Sequence, residues 1–164
     1  FNEYYQTICR STEQVGLGYI SQLADRNLAE SLAANRERDR ILGYTSNGVH
    51  KDELEMTLNE QLIRRAGSQG QNKTYLIALK LAQFAFLTRK GQTTPILLLD
   101  DIFDKLDAER VAEIIKLVSG DSFGQIFVTD TNRKYLDEIL QAMNHDYALF
   151  RVEQGEVQPM EDQP

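Results

Sequence analysis

The chain has 164 residues, of which 41 % are hydrophobic and 26 % are charged, the usual composition of a folded, water-soluble domain. Its 25 acidic and 18 basic residues give a net charge of −7, so the chain as a whole should repel a phosphate backbone. This excludes a generally basic nucleic-acid-binding domain. Any DNA contact must come from a local patch or from other parts of a longer protein.

The sequence contains no transmembrane segment and cannot form an internal disulfide. The longest apolar run, 76–87, is broken by Lys80 and Gln83 and is far shorter than the roughly 20 residues that span a bilayer. Cys9 is the single cysteine, and no Cys/His spacing typical of structural zinc is present. We therefore expect a cytoplasmic protein with no membrane partner. Because the chain opens with Phe1 and not with Met, we also expect a piece of a longer protein.

The first 48 residues predict two helices and one strand. Asn2–Arg10 has the pattern of the end of a helix, 15–20 is a short candidate strand, and 25–42 reads as one amphipathic helix. The arginines near the end of that helix complement its dipole, with DNA contact as the alternative: Arg36, Arg38 and Arg40. Residues 43–48 resemble a loop.

The next segment predicts a strand followed by a buried helix. Leu54, Met56 and Leu58 alternate with polar residues, which is the period of a half-buried strand, and Asn59-Glu60 should turn the chain. Residues 73–87 are apolar nearly all round, so we expect a helix buried within the protein.

The last third of the chain alternates strands with helices. The apolar run 96–99 predicts a strand of a parallel sheet covered on both faces, and 125–129 a second strand. One helix should begin after Asp107, and another should pack through Leu136, Ile139, Leu140 and Met143. A hairpin is expected from Tyr147 with its turn at Gly155. Strand and helix in alternation predict an α/β fold with parallel pairing.

Asp100 and Asp101 are the main candidates for chemistry, because they end an apolar strand at the edge where open α/β folds bind ligands. Mg²⁺ bound to nucleotide phosphates commonly takes one protein carboxylate, and a neighbouring acid can orient the attacking water. Taken alone, the pair fits equally well a strand end with two solvated acids.

Two further motifs decide between those interpretations. Ser68-Gln69-Gly70-Gln71 opens the buried helix upstream, and Asp104-Lys105-Leu106-Asp107 follows the acid pair. A helix start with free N–H groups suits a terminal phosphate, and Gly70 allows close approach, although a simple helix cap is the alternative. The three motifs occur in the order found in ABC-type ATPases.

These motifs resemble the RecF family of recombination mediators. The resemblance covers roughly 30–140 and is carried by Gly48-Val49-His50-Lys51-Asp52-Glu53-Leu54, Ser68-Gln69-Gly70-Gln71-Asn72-Lys73, Leu97-Leu98-Leu99-Asp100-Asp101, Lys105-Leu106-Asp107 and Phe127-Val128-Thr129-Asp130-Thr131. It implies the C-terminal part of an ABC-type ATPase head related to SMC heads, with 1–42 as a remnant of a helical second lobe, 43–157 in the ATPase lobe and 158–164 as a flexible tail.

The resemblance also implies ATP and Mg²⁺ as cofactors, a homodimer that forms on ATP binding, and DNA, single-stranded or gapped, and recombination mediator proteins as partners. Ser68, Gln69, Gly70 and Gln71 would face ATP held by the opposite subunit. Asp100 would serve Mg²⁺, Asp101 would be the general base, and Asp107 would lie at the dimer interface. Thr129 and Asp130 occupy the place where transporter ATPases carry a switch histidine, which leaves the γ-phosphate sensor open.

The chain has no Gly-x-x-x-x-Gly-Lys-Ser/Thr loop to cradle phosphates. Gly43 and Gly48 have the right separation, but Val49 and His50 follow and supply neither the cation nor the hydroxyl. His50 and Lys51 could contact DNA or nucleotide, or be surface loop residues. We therefore expect no ATPase activity from this chain alone.

Three alternatives remain at this point. The chain could be a non-catalytic dimerisation or docking module, or the head of another ABC-type repair protein such as an SMC-like or OLD-like one. It could also be a phosphoacceptor domain, but such a domain carries its acid pair near the start of the fold, and the helix opened by Ser68 would be unexplained.

Overall fold

A computed structural model describes residues 1–91, 93–101, 104–120, 122–131 and 147–160. The chain divides into two compact units. The antiparallel unit comprises Asn2 and Arg10–Asn72, and the α/β unit comprises Phe1, Glu3–Cys9 and Lys73–Pro164. None of the described helices is long and apolar enough to cross a membrane.

The antiparallel unit contains a three-stranded sheet in the order β1-β2-β3. Strand β1 (Val15–Ile20) pairs with β2 (Glu53–Leu58), and the hairpin continues into β3 (Gln61–Leu62). Asn59 and Glu60 both have positive φ, 47° and 67°, as the two-residue turns of twisted hairpins require. The predicted strands and turn are confirmed.

Helix α2 (Leu28–Leu42) is confirmed as a helix, but its amphipathic packing is not found. Asn27 caps it by accepting from Ala29 N at 2.8 Å, and Gly43 ends it in the left-handed conformation at φ 75°. Every residue of α2 is described and none is buried. Leu28 and Leu32 are one turn apart, but two leucines form only a narrow apolar stripe, which explains why the helix buries no residue. The caps at Asn27 and Gly43 stabilise the two ends of the helix.

The compact units divide at residue 72, whereas the lobes were predicted to divide at residue 42. The reason is the pairing of β1 with β2, which joins the segments on either side of α2. A short helix, α3 (Ile63–Ala66), completes the antiparallel unit with a 3₁₀ turn at Val49–Lys51. The assignment of 1–42 to a second lobe stays a prediction.

The α/β unit is built on two parallel strands with helices against them. Strand β4 (Leu97–Asp100) pairs with β5 (Ile126–Thr129) in parallel, as predicted. Its helices are α1 (Asn2–Cys9), α4 (Gln69–Lys90) and α5 (Ala108–Val118). The core residues are Tyr5, Ile8, Tyr75, Ile77, Ala78, Leu81, Phe84, Leu97, Leu99, Val111, Ile114, Ile115 and Val118.

Two burial predictions for this unit are wrong. Helix α4 buries only one side, because Leu76, Phe86 and Leu87 are exposed. The sheet is covered on only one face: Leu99 is 1 % exposed, whereas Leu98 is 61 % exposed. A fully apolar run fills both faces of a sheet only where a second layer is present, and the described residues supply one layer.

The last described element is a hairpin of β6 (Leu149–Glu153) and β7 (Glu156–Met160), with Gly155 in the turn at φ 84°, as predicted. The flexible tail was expected to begin at residue 158, but residues up to Met160 form a strand, in which Gln158 pairs with Arg151. The reason is that the second strand of the hairpin is as long as the first. The predicted helix at 136–143 and the end of the tail, 161–164, lie outside the described residues.

Candidate functional site

Asp100 and Thr129 lie side by side at the carboxyl edge of the parallel sheet. They are the last residues of β4 and β5, and the register pairs them directly. The Thr129 hydroxyl donates a hydrogen bond to Asp100 Oδ1. That bond orients the carboxylate and leaves lone pairs of both its oxygens available to a further partner.

Asp101 adopts a left-handed backbone conformation, with φ 45°, immediately after the strand. Its N–H donates to Thr129 O at 2.9 Å and lies 3.2 Å from Thr129 Oγ1. Its side chain is 59 % exposed. A positive φ in a non-glycine residue marks a local constraint on the backbone at this second carboxylate.

Lys73 is the residue that sequence reasoning missed. It lies in the second turn of α4, and its ammonium donates to the main-chain carbonyl of Asp101. Lys73 Nζ also lies 3.9 Å from Asp101 Oδ2. A sequence signal existed: Lys73 is a single cation at the start of a strongly apolar helix, and a buried lysine stem commonly has an acidic partner.

The carboxylate donors described at this edge fit a hydrated Mg²⁺, which needs few protein ligands. The described residues contain no group of three or more His, Cys, Asp or Glu side chains that could hold a metal ion. Mg²⁺ commonly takes one or two carboxylates and completes its shell with water and phosphate oxygens. Asp100, oriented by Thr129, offers such a carboxylate.

The Ser68–Gln71 turn forms a reciprocal cap at the start of α4. Gln71 N donates to Ser68 Oγ at 3.2 Å, and Ser68 N donates to Gln71 Oε1 at 2.8 Å. This is the capping-box arrangement, with glutamine in the third helical position. The simple helix cap that was predicted as the alternative is therefore present. The Ser68 hydroxyl accepts a hydrogen bond in this cap and can still donate its own hydrogen to another group.

A second layer of contacts fixes this turn within the antiparallel unit. Gln71 Nε2 donates to Glu13 Oε1 at 2.6 Å, and Asn72 Nδ2 donates to Gly67 O at 3.0 Å. A Cβ on Gly67 would lie 2.8 Å from Ile63 O, so only glycine fits there without a shift. These contacts within the chain thus hold the side chains of the turn without a ligand.

The other predicted site residues have mainly local contacts. Asp107 caps α5 by accepting from Arg110 N at 2.9 Å, and Asp130 follows β5 directly. His50 Nε2 lies 2.9 Å from Thr45 O, and Lys51 Nζ is 5.1 Å from the centre of the Tyr44 ring. His50 and Lys51 belong to the antiparallel unit, in the turn before β2.

Beside that turn, a hydrogen bond joins the exposed Tyr19 to the half-buried Asp52. The Tyr19 hydroxyl donates to Asp52 Oδ2, which raises the pKa of Tyr19 above its ordinary value. The same hydrogen bond, aided by Ser21, lowers the pKa of Asp52.

Known proteins decide the family to which this arrangement belongs. The chain is 81 % identical over 162 residues to the DNA replication and repair protein RecF of Parabacteroides distasonis, covering 99 % of this chain and 44 % of the relative. The chain belongs to the RecF family. RecF of Bacteroides thetaiotaomicron is 60 % identical over 160 residues, covering 98 % of this chain and 43 % of that relative. The chain thus spans less than half the length of these RecF relatives.

Solved structures confirm the predicted fold of this RecF-family chain. A structure of the recombination mediator protein RecF with ATPγS, described as "RecF-ATPrS in RecFOR pathway", matches with a TM-score of 0.66 at 21 % identity. The match covers 98 % of this chain and 42 % of that chain. A comparison with protein-family models gave no match. The α/β fold of this chain is therefore the fold of the matched part of that RecF structure.

Proposed function

We propose that this chain supplies the acid pair and the signature turn of a RecF-type ATPase that acts in recombinational DNA repair. The observation that supports it best is the group at the carboxyl edge of the sheet, where Asp100, Asp101 and Thr129 lie together. The printed names of the relatives, DNA replication and repair protein RecF, support the biological setting. Solved RecF structures named with ATP and ATPγS support the nucleotide.

Within this proposal the two carboxylates have different roles. Asp100, oriented by Thr129, would hold Mg²⁺, which supplies positive charge to the nucleotide phosphates. The Asp101 side chain is 59 % exposed, so its carboxylate can reach a water molecule and accept its proton. Lys73 donates to the main-chain carbonyl of Asp101, and the carbonyl of Thr129 accepts from its N–H, so the backbone of Asp101 is fixed at both polar groups.

Ser68–Gln71 would serve the nucleotide of the opposite subunit in an ATP-dependent homodimer, with Asp107 at the interface. The capped turn presents a helix start, whose dipole attracts a terminal phosphate. DNA at gaps and other recombination mediator proteins are the proposed partners. Because the net charge is −7, DNA contact would fall on local basic residues such as His50 and Lys51 or on other parts of the full-length protein.

Steady-state ATP hydrolysis by the full-length protein, with and without gapped DNA, tests this function. Asp101→Asn should remove hydrolysis by about 100-fold or more while ATP binding persists, because the variant loses only the proton acceptor. Asp25→Asn is the matched control, since Asp25 is an exposed acid outside the proposed motifs.

A docking module that uses the same fold without catalysis predicts a different result. In that case a well-folded full-length protein would hydrolyse no ATP, and Asp101→Asn would change nothing. Joining this chain to a segment that carries a phosphate-binding loop gives the same discrimination. Hydrolysis should appear only on joining and should vanish with Asp101→Asn.

A further inference from the structure

Asp101 is held from both sides of its main chain. Its N–H donates to Thr129 O at 2.9 Å, and its carbonyl accepts from the Lys73 ammonium. The two contacts come from different elements, the end of β5 and the second turn of α4. They fix a residue whose φ of 45° is disfavoured for a side chain other than glycine.

The Lys73 side chain spans from the core to the site. It is only 25 % exposed, and the next two residues of the helix, Thr74 and Tyr75, are fully buried. Its Nζ reaches the Asp101 carbonyl and lies 3.9 Å from Oδ2 of the same residue, so one ammonium contacts both the main chain and the carboxyl group. A lysine in this geometry acts on the orientation of Asp101 as well as on local charge.

We propose that Lys73 is a positioning residue for Asp101, which ties the orientation of that carboxylate to helix α4. This inference rests on the proposed function, in which Asp101 is the general base. Helix α4 also begins with the Ser68–Gln71 turn, which would face the nucleotide of the opposite subunit.

The expected kinetic signature follows from what Lys73 contacts. Lys73 positions the proton acceptor and does not itself bind nucleotide, so its loss should lower kcat and leave KM unchanged. Displacement of a reacting group by about 1 Å can cost roughly 100-fold in rate. Lys73→Met keeps most of the apolar stem and removes the ammonium, which makes it the main test variant.

The experiment compares full-length wild type with Lys73→Met, Lys73→Arg, Asp101→Asn and the Lys73→Met/Asp101→Asn double variant. Lys80→Met is the matched control, because Lys80 is an exposed lysine of the same helix. We expect Lys73→Met to lower kcat by about 30- to 100-fold with KM changed less than about 2-fold. Lys73→Arg should recover part of the loss, and the double variant should be no slower than Asp101→Asn alone.

A second measurement is independent of hydrolysis. Amide hydrogen exchange of the segment 97–101 in the nucleotide-free protein should be faster in Lys73→Met than in Lys80→Met, because the Asp101 main chain loses one of its two anchors. If Lys73→Met lowers the unfolding temperature, Lys73→Gln replaces it, since glutamine keeps a donor for the carbonyl without the charge. Lys73→Gln should then give a smaller fall in kcat.

The outcomes separate this inference from the function on which it rests. Wild-type turnover in Lys73→Met together with inactive Asp101→Asn would overturn the role of Lys73 and leave the function standing. An increase in KM that matches the fall in kcat/KM would make Lys73 a nucleotide ligand and would also overturn it. Hydrolysis that survives Asp101→Asn would instead overturn the role of Asp101 itself.

Discussion

At the scale of single residues, Thr129 contacts the acid pair. The sequence alone had left the role of this position open. Its hydroxyl donates to Asp100 Oδ1 and lies 3.2 Å from Asp101 N, so one side chain contacts both members of the acid pair. At the position predicted for the switch residue, its hydroxyl thus orients a carboxylate. Groups that orient metal-binding carboxylates affect metal affinity about as strongly as many direct ligands do.

Replacing Thr129 should therefore change the magnesium requirement of the full-length protein. In Thr129→Val, a change that keeps the shape but removes the hydroxyl, the Mg²⁺ concentration for half-maximal ATP hydrolysis should rise by about 10-fold or more. Thr129→Ser is the matched control and should behave like wild type. An unchanged Mg²⁺ titration in Thr129→Val would show that Asp100 needs no orienting hydroxyl.

The sequence predicted which residues meet at this edge but not how they are bonded. Asp100 and Thr129 end their strands, Asp101 follows Asp100 directly, and parallel strands bring their carboxyl ends together. Lys73 was missed because helical periodicity predicts only the face of α4 on which a residue lies. Whether a lysine on that face meets an acid depends on the packing of α4 against the sheet, which no local pattern encodes.

At the scale of elements, Asp107 has one observed role and one proposed role. Its Oδ1 accepts from Arg110 N at 2.9 Å as the cap of α5, and its Oδ2 lies 3.5 Å from Arg110 Nε. A cap of this kind stabilises a protein by about 1 kcal/mol. The proposed role at a dimer interface depends on the carboxylate and not on the cap.

Two substitutions distinguish these roles. Asp107→Ala should lower the free energy of unfolding by about 1 kcal/mol, whereas Asp107→Asn should preserve it because asparagine caps equally well. Urea denaturation measures this, with Asp104→Ala as a control on a neighbouring exposed acid. If ATP-dependent dimerisation of the full-length protein, followed by sedimentation, is also normal in Asp107→Asn, the interface role of the carboxylate is wrong.

Local patterns predicted the elements better than their burial. The alternation at Leu54, Met56 and Leu58 predicted β2, and the cap at Asp107 predicted the start of α5. The same reasoning failed for α4 and β4, because an apolar run indicates that a surface is suited to burial but not what lies on it. It also failed for the packing of α2, whose caps form without any buried contact.

At the scale of the whole molecule, the net charge limits where phosphate groups can bind, and the exposed apolar surface indicates where another layer could pack. The acid pair adds to a net charge of −7, so the chain offers phosphate groups few attractive surfaces except helix starts and isolated cations. Leu98 and Phe127 are direct neighbours on β4 and β5, and both are exposed, at 61 % and 51 %. An apolar sheet face of this kind is typical of a surface that another layer covers.

Leu98→Lys should therefore have opposite effects on the 164-residue chain and on the full-length protein. The isolated chain should self-associate through this face and through the edges of the two-stranded sheet, and the lysine should reduce that association in sedimentation velocity. In the full-length protein, where the relatives are more than twice as long, we expect the face to be covered. There the lysine should lower the free energy of unfolding by about 2 kcal/mol or more, because a charge replaces a buried leucine.

Leu98→Met, which keeps volume and polarity, should change neither measurement. Equal stability of Leu98→Lys and wild type at full length would mean that Leu98 stays in water in the intact protein.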